Sequence, residues 1–220
     1  MDAVIVGAGG HGKVVLEILR EADRARPVGF LDADPSLVGS MVGGLPVLGA
    51  INHIPKLRQQ KIRAAIVAIG DNRARAEYVR VLAEHGLELI SAIHPRSSVA
   101  ASAMIGRNVV VAAGAVVCTE AHIGDSVILN TGCVVEHECE IGQAAHICPC
   151  VGLAGRVRIG QRVFVGLGAR VIQCMSVGDD ATVGAGAVIL QDVPAGATVV
   201  GVPARIIKHA SPTSPVPAAA

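Results

Sequence analysis

The chain has 220 residues, enough for one large or two small domains, and carries 19 Lys and Arg against 18 Asp and Glu. A net charge of +1 with no basic run gives no case for a nucleic-acid partner, and no apolar run approaches the ~18 uncharged residues of a membrane span. Hydrophobic residues make up 51% of the chain but aromatics only 1%, so a core must be built from small aliphatic side chains, which suits a narrow prism better than a sandwich.

In chain order, the N-terminus shows neither the basic start nor the long apolar core of a signal peptide, and the cytoplasm is the expected location. Ala3-Val4-Ile5-Val6 reads as a buried strand, followed by the glycine turn Gly7-Ala8-Gly9-Gly10-His11-Gly12 and a helix from Lys13 to about Ala25. Val28 to Leu31 is a second strand ending at Asp32-Ala33-Asp34-Pro35, Ile54 to Gln60 a short helix, and Ala64 to Ile69 a third strand ending at Gly70-Asp71-Asn72. Arg73 to Gly86 is a second helix and Leu87 to Ala92 a fourth strand. Alternating strands and helices over residues 1–95 imply a small parallel α/β sheet. Gly7, Gly9 and Gly12 satisfy GxGxxG, with Asp32 twenty residues past Gly12. Such glycines let backbone approach a phosphate at a helix N-terminus. The second mononucleotide-binding half and a dehydrogenase catalytic domain are both absent, so the expectation is a site for one nucleotide rather than NAD. The alternative is a glycine turn needed only for tight packing. Lys13 could answer a phosphate, and His11 either reaches the ligand or caps the loop. His94-Pro95 marks a joint, because the residue before proline is pushed out of helical geometry.

From Val99 to about Pro194 the chain counts in sixes. Aliphatic residues recur without insertion from Val99, Ile105, Val111 and Val117 to Val183 and Ile189, and the position four after each is small or apolar. A longer period repeats Ile/Val-Gly every eighteen residues, at Ile105-Gly106, Ile123-Gly124, Ile141-Gly142, Ile159-Gly160 and Val177-Gly178. Six fits neither a free amphipathic helix nor a simple strand; it fits a parallel β-helix with three hexads per coil. Cys133 and Cys139 fall on inward positions, no CxxC or Cys/His spacing suggests a metal site, and no disulfide framework is expected.

In such a coil, residues eighteen apart stack. The hexad of Val135 holds the densest charge, Glu136-His137-Glu138-Cys139-Glu140, and Gly155 stacks on His137. A histidine is a suitable proton acceptor because its unperturbed pKa of ~6.5 is near working pH. A carboxylate can orient the ring, and a bare glycine N–H can meet an oxyanion. Glu138 has a competing partner in Arg156, and His122, Glu140 and Arg158 form a second charged column. His146 stacks between Ile128 and Phe164, where it can equally be a packed side chain. His137 and His146 stand half a coil apart, on different sides of the prism, so one site using both needs two subunits.

The chain resembles the left-handed β-helix, hexapeptide-repeat acyltransferases, and within them the sialic acid O-acetyltransferases and nucleotide-linked amino-sugar N-acetyltransferases. The resemblance is carried by Val6-Gly7-Ala8-Gly9-Gly10-His11-Gly12-Lys13, Phe30-Leu31-Asp32-Ala33-Asp34-Pro35 and Ile69-Gly70-Asp71-Asn72. Asn130-Thr131, Val135 to Gly142, His146-Ile147, Ala154-Gly155 and Val200-Gly201-Val202-Pro203-Ala204-Arg205 carry it in the repeats. It implies a Rossmann-like domain over residues 1–95 and a left-handed β-helix over 96–207, while the proline- and alanine-rich composition from Ser211 to Ala220 leads to an expected disordered tail over 208–220. It implies a homotrimer with acetyl-CoA between neighbouring solenoids, His137 as general base and Glu138 orienting it. His146 and the Gly155 amide would contact the acetyl carbonyl, and Gly201, Val202, Pro203 and Arg205 would lie along the pantetheine arm. Gly7, Gly9, Gly10, His11, Gly12, Lys13, Asp32, Asp34, Gly70 and Asn72 would hold the nucleotide-sugar. Amine acetylation without a covalent intermediate is the expected reaction. The alternatives are sugar O-acetylation, a ping-pong route through Cys148 or Cys150, and a non-catalytic scaffold. No loop interrupts the hexads, so the first domain must help cover the sugar.

Overall fold

The structure, a computed structural model, describes residues 1–209; the proline- and alanine-rich stretch from Ser211 to Ala220 lies outside the described residues. The first domain is a six-stranded sheet in the order β3-β4-β2-β1-β5-β6, formed by β1 (Asp2–Val6), β2 (Arg26–Leu31), β3 (Met41–Val42), β4 (Leu45–Gly49), β5 (Ala64–Val67) and β6 (Glu88–Leu89). Ala3 to Val6 of β1 and the whole of β5 are unbroken aliphatic runs because both their faces are covered. Only β3 and β4 pair antiparallel, across Gly43 and Gly44, whose φ of 54° and 79° suit a two-residue hairpin turn. The sequence reading missed this hairpin.

Helix α1 (Gly10–Ala22) starts within the glycine run, three residues before the expected Lys13. Its first-turn N–H groups have no intrahelical partner, and Gly9 and Gly10 put no side chain in front of them. Val15, Leu16, Ile18 and Leu19 form its buried stripe, and Asp23 ends it in the left-handed conformation. A short α2 (Ile54–Gln59) precedes β5, and α3 (Asn72–Glu84) follows it, capped by the Asp71 carboxylate accepting the Ala74 N–H at 2.7 Å.

The remaining strands coil into a three-faced prism in which residues eighteen apart pair in parallel register, as in Val116↔Val134 and His122↔Glu140. The first face runs from Ala92–Ile93 to Thr198–Val200, with His146–Ile147 in its middle. The second runs from Ser98–Val99 to Val188–Ile189, and the third from Met104–Ile105 to Ser176–Val177. The second residue of each rung and the residue four beyond it fill one aliphatic interior, including Cys133 and Cys139. The expected strand Leu87 to Ala92 divides: Glu88–Leu89 joins the first sheet, while Ala92–Ile93 pairs with Val110–Val111 as the first rung of the coil.

The first domain lies on the first face. Ala92, Val110, Ala112 and Ile128 point outward from the prism yet are buried with Ile5, Leu16, Leu19, Phe30 and Ile66 in one core cluster. Polar ties flank this contact: Asn108 Oδ1 accepts the N–H of Val67 at 2.7 Å, and the buried Arg75 donates to solenoid carbonyls. The outward row of that face therefore passes from buried Ile128, through half-buried His146, to exposed Phe164.

Candidate active site

His137 stands at the corner between the second and third faces, between Val134–Val135 and Glu140–Ile141. Its Nδ1 is 3.0 Å from Glu138 Oε1, and the other carboxylate oxygen is 3.9 Å from Arg156 Nε. Glu138 thus serves both partners anticipated for it. Accepting from Nδ1–H, the carboxylate selects the tautomer whose Nε2 lone pair is free. That nitrogen faces Gly155: a Cβ built on Gly155 would come within 2.4 Å of it. Among the described residues the Gly155 N–H donates to no protein acceptor, while the neighbouring Arg156 N–H bonds the His137 carbonyl at 2.9 Å. The corner presents, side by side, an oriented imidazole nitrogen and an unused backbone donor. This is the pairing that proton removal and oxyanion stabilisation require.

A separate cleft of about 390 Å³ opens at the C-terminal edge of the first sheet, lined by Gly7, Gly9, Gly10, His11, Asp32 and Gly70 together with Ile69 and Tyr78. Its glycines divide by role. A Cβ on Gly12 would meet the Gly7 carbonyl at 2.0 Å, and one on Gly7 would meet the Ala68 carbonyl at 2.8 Å, so both serve close packing. Gly9, Gly10 and Gly70 have nothing within 4 Å on their Cβ side. Asp32 fixes the loop by accepting the N–H of Ala8 at 2.7 Å and of Asp34 at 2.9 Å.

His11 and His146 meet at the border of this cleft with the solenoid, their ring centroids 6.4 Å apart. Burial, aided by the nearby Arg75 cation, pulls both down from 6.5 to about 4. His146 packs edge-on against Phe164, with Nε2 3.3 Å from Asn130 Nδ2. The Nε2 of His11 and the Nδ1 of His146 are buried without a hydrogen-bond partner. The His11 Nε2 therefore does not cap the loop. Buried polar atoms are nearly always satisfied, so this pair suits a polar partner at the border, a ligand group or a water.

Other residues expected at the site sit elsewhere. Lys13 is exposed and lines a different hollow, with Glu17, His94 and Thr131. Asp34 caps a short turn by accepting from Ser36. Asn72 donates to the carbonyls of Arg162 and Val163 at 2.9 and 3.1 Å. Gly201, Val202, Pro203 and Arg205 form the closing turn of the solenoid, tied to Val188 of the second face. At about 4.8 Å per rung, that turn lies roughly 10 Å along the axis from the coil of Gly155. Cys148 is buried and its thiol is pushed up to about 11, which makes it a poor nucleophile; Cys150 is exposed on another corner. Among the described residues no three His, Cys, Asp or Glu side chains cluster as metal ligands would, and no helix is long and apolar enough to cross a membrane.

Tyr78 and Arg75 belong to the site's surroundings without having been singled out, and so does Asn130, which the sequence offered only as part of the resemblance and without a role. Arg75 had a usable signal: it occupies the buried stripe of α3 with Val79 and Leu82, at spacings of four and three, where an apolar residue is the rule.

The profile of the PglD N-terminal domain family matches residues 2–82. The chain is 44% identical to PerB from Caulobacter crescentus, solved in complex with CoA and GDP-perosamine; the match covers 94% of this chain and 97% of that one, with a TM-score of 0.89. It is 39% identical to the acetyltransferase domain of PglB from Neisseria gonorrhoeae, solved with acetyl coenzyme A, over 94% and 98% of the two chains, with a TM-score of 0.88. Over 114 residues it is 34% identical to the UDP-N-acetylbacillosamine N-acetyltransferase of Bacillus subtilis (strain 168), a match spanning 51% of each chain, about half the length of that curated relative. A small Rossmann-like sheet followed by a left-handed parallel β-helix is the fold shared with the two solved structures.

Proposed function

The chain belongs to the hexapeptide-repeat nucleotide-sugar N-acetyltransferases, and we propose that it transfers the acetyl group of acetyl-CoA to the amino group of a nucleotide-linked amino sugar. The observation that carries this reading is the His137 corner, where Nε2 faces a bare Gly155 and Glu138 holds the opposite ring nitrogen.

The acceptor amine attacks the thioester carbonyl and a C–N bond forms. His137 Nε2 takes the proton that the amine must lose, and Glu138 stabilises the resulting imidazolium. The Gly155 N–H receives the negative charge developing on the carbonyl oxygen. Collapse of the tetrahedral intermediate breaks the C–S bond, and the imidazolium returns the proton to the departing thiolate. No covalent enzyme intermediate is required, and the buried Cys148 thiol offers none.

The cleft of the first domain holds the nucleotide-sugar, with the phosphates against Gly9 and Gly10 at the start of α1 and the sugar toward His11 and His146. Of the expected binding set, Gly70 lines this cleft, Asp32 fixes its loop, and Gly7 and Gly12 shape it. The donor's pantetheine arm runs from Gly155 toward the turn of Gly201, Val202, Pro203 and Arg205. Because His137 and the His11–His146 cleft lie on different sides of one prism, the reaction needs two copies of the chain, in a homotrimer with sites between subunits. The relatives solved with CoA, acetyl-CoA and GDP-perosamine support this reading of donor and acceptor class. The reaction belongs to the cytoplasm, where acetyl-CoA and nucleotide sugars are made.

A thiol-release assay tests the reading, with acetyl-CoA offered to nucleotide-linked amino sugars, to the corresponding hydroxyl sugars and to sialic acid. Release only with the amino sugars, with an amide product by mass spectrometry, is the expected result. Ester formation on a hydroxyl, or no release with any acceptor, would overturn it.

A further inference from the structure

Arg75 is completely buried, and no carboxylate pairs with it among the described residues. Its guanidinium keeps its charge and is held by uncharged oxygens of the Ile69–Asn72 stretch, of Ser126 and of Ala144–Ala145. Nη1 donates to the carbonyls of Ile69 at 2.9 Å and Gly70 at 3.1 Å, on the loop that walls the nucleotide cleft. Nε donates to the Ser126 carbonyl at 2.7 Å. Nη2 donates to Asn72 Oδ1 at 2.8 Å and to the carbonyls of Ala144 and Ala145 at 2.7 and 3.3 Å. Ala144 and Ala145 lead directly into the rung that carries His146.

We infer that Arg75 is a positioning residue for the acceptor half of the reaction, clamping the Ile69–Gly70 loop of the first domain to the Ala144–Ala145 turn of the solenoid. Resting on the functional reading above, it sets where His146 stands against the bound sugar.

Simple docking of the two domains does not call for this residue. The aliphatic contact of Ile128, Val110 and α1 already joins them, and a buried cation without an anion is costly to desolvate. What a guanidinium adds is a rigid planar fork that fixes several acceptors at once, which a lysine or an apolar side chain cannot reproduce. Its charge also faces His11 from α1 and His146 from the solenoid, with Asp71 the carboxylate nearest in effect, and it adds to the burial that chiefly keeps both rings neutral. Neutral rings leave the acceptor amine without a cationic neighbour competing for its proton acceptor. A second tie between the domains, Arg73 to Asp180 at 3.0 Å, lies on the exposed side and supplies a control.

The experiment compares steady-state kinetics of the wild type, Arg75→Lys, Arg75→Met and Arg73→Ala, with circular dichroism on each. Arg75→Lys is expected to raise KM for the nucleotide-sugar or lower its kcat/KM by about tenfold or more, with KM for acetyl-CoA held within about twofold. Arg73→Ala is expected to match the wild type. In NMR titrations the His146 ring should titrate closer to 6.5 in Arg75→Met than in Arg75→Lys. A folded Arg75→Lys with wild-type constants for both substrates overturns the inference. So does an Arg75→Lys that loses its fold, which would make Arg75 a stability residue only. A wild-type protein without turnover removes the functional reading and this inference with it.

Discussion

A methyl group on Gly155 would stand 2.4 Å from His137 Nε2 and 2.6 Å from Cε1. Half-exposed, the imidazole has room to swing aside, so Gly155→Ala should fold normally while losing the alignment of base and oxyanion donor. The expected outcome is a fall in kcat of about 100-fold, the size of losing one oxyanion contact, with an unchanged melting curve and unchanged acetyl-CoA binding; wild-type turnover would contradict the assignment. At this scale much was legible, because eighteen-residue stacking converts sequence position into a neighbour, and it placed Gly155 on His137 and Arg156 on Glu138. The Asn130 contact to His146 crosses that register, sixteen residues apart, and stacking arithmetic has no way to find it. The two glycine kinds in the first turn were equally closed to sequence, since a packing glycine and an open one satisfy the same motif.

The elements meeting at the domain contact predict an acid sensitivity. Folding holds His11 and His146 neutral, with pKa values drawn from 6.5 to about 4, chiefly by burial. Below about 6.5 the unfolded chain therefore binds more protons than the folded one, and stability contributed by these rings is present above that pH and lost as pH falls toward 4. Thermal melts of the wild type should show Tm falling from pH 7 to pH 4.5, and a His11→Asn/His146→Asn protein should fall less steeply; parallel curves would refute the burial account. The alternation of strands and helices announced the first domain, but the hairpin of β3 and β4 was lost. Met41–Val42 is too short for a periodic signal, and Pro46 argues against reading β4, one strand in from the edge, as a strand at all.

On the scale of the whole molecule, the count of sixes determined the prism, because each hexad can bury its aliphatic residues only by stacking. What it left open was which face the first domain covers. The apolar outward positions Ala92, Val110 and Ile128 look like ordinary hexad residues until α1 is seen lying on them, and Val116 and Val134 on the second face are just as apolar in sequence. On the proposed function that docking decides the chemistry, because it puts the cleft of the first domain beside His146 and leaves His137 on another side. The most direct measurement is complementation, with His137→Ala and His146→Ala chains co-expressed under different tags and purified through both. Each variant alone should release coenzyme A thiol at a rate orders of magnitude below wild type. In the proposed trimer, any mixed ring has about one site in three that joins an intact His137 to an intact His146 cleft, so the purified hybrid should recover about a third of wild-type activity. A hybrid no more active than its parents, or a His137→Ala protein with near-normal turnover, would contradict a site shared between two copies of this chain.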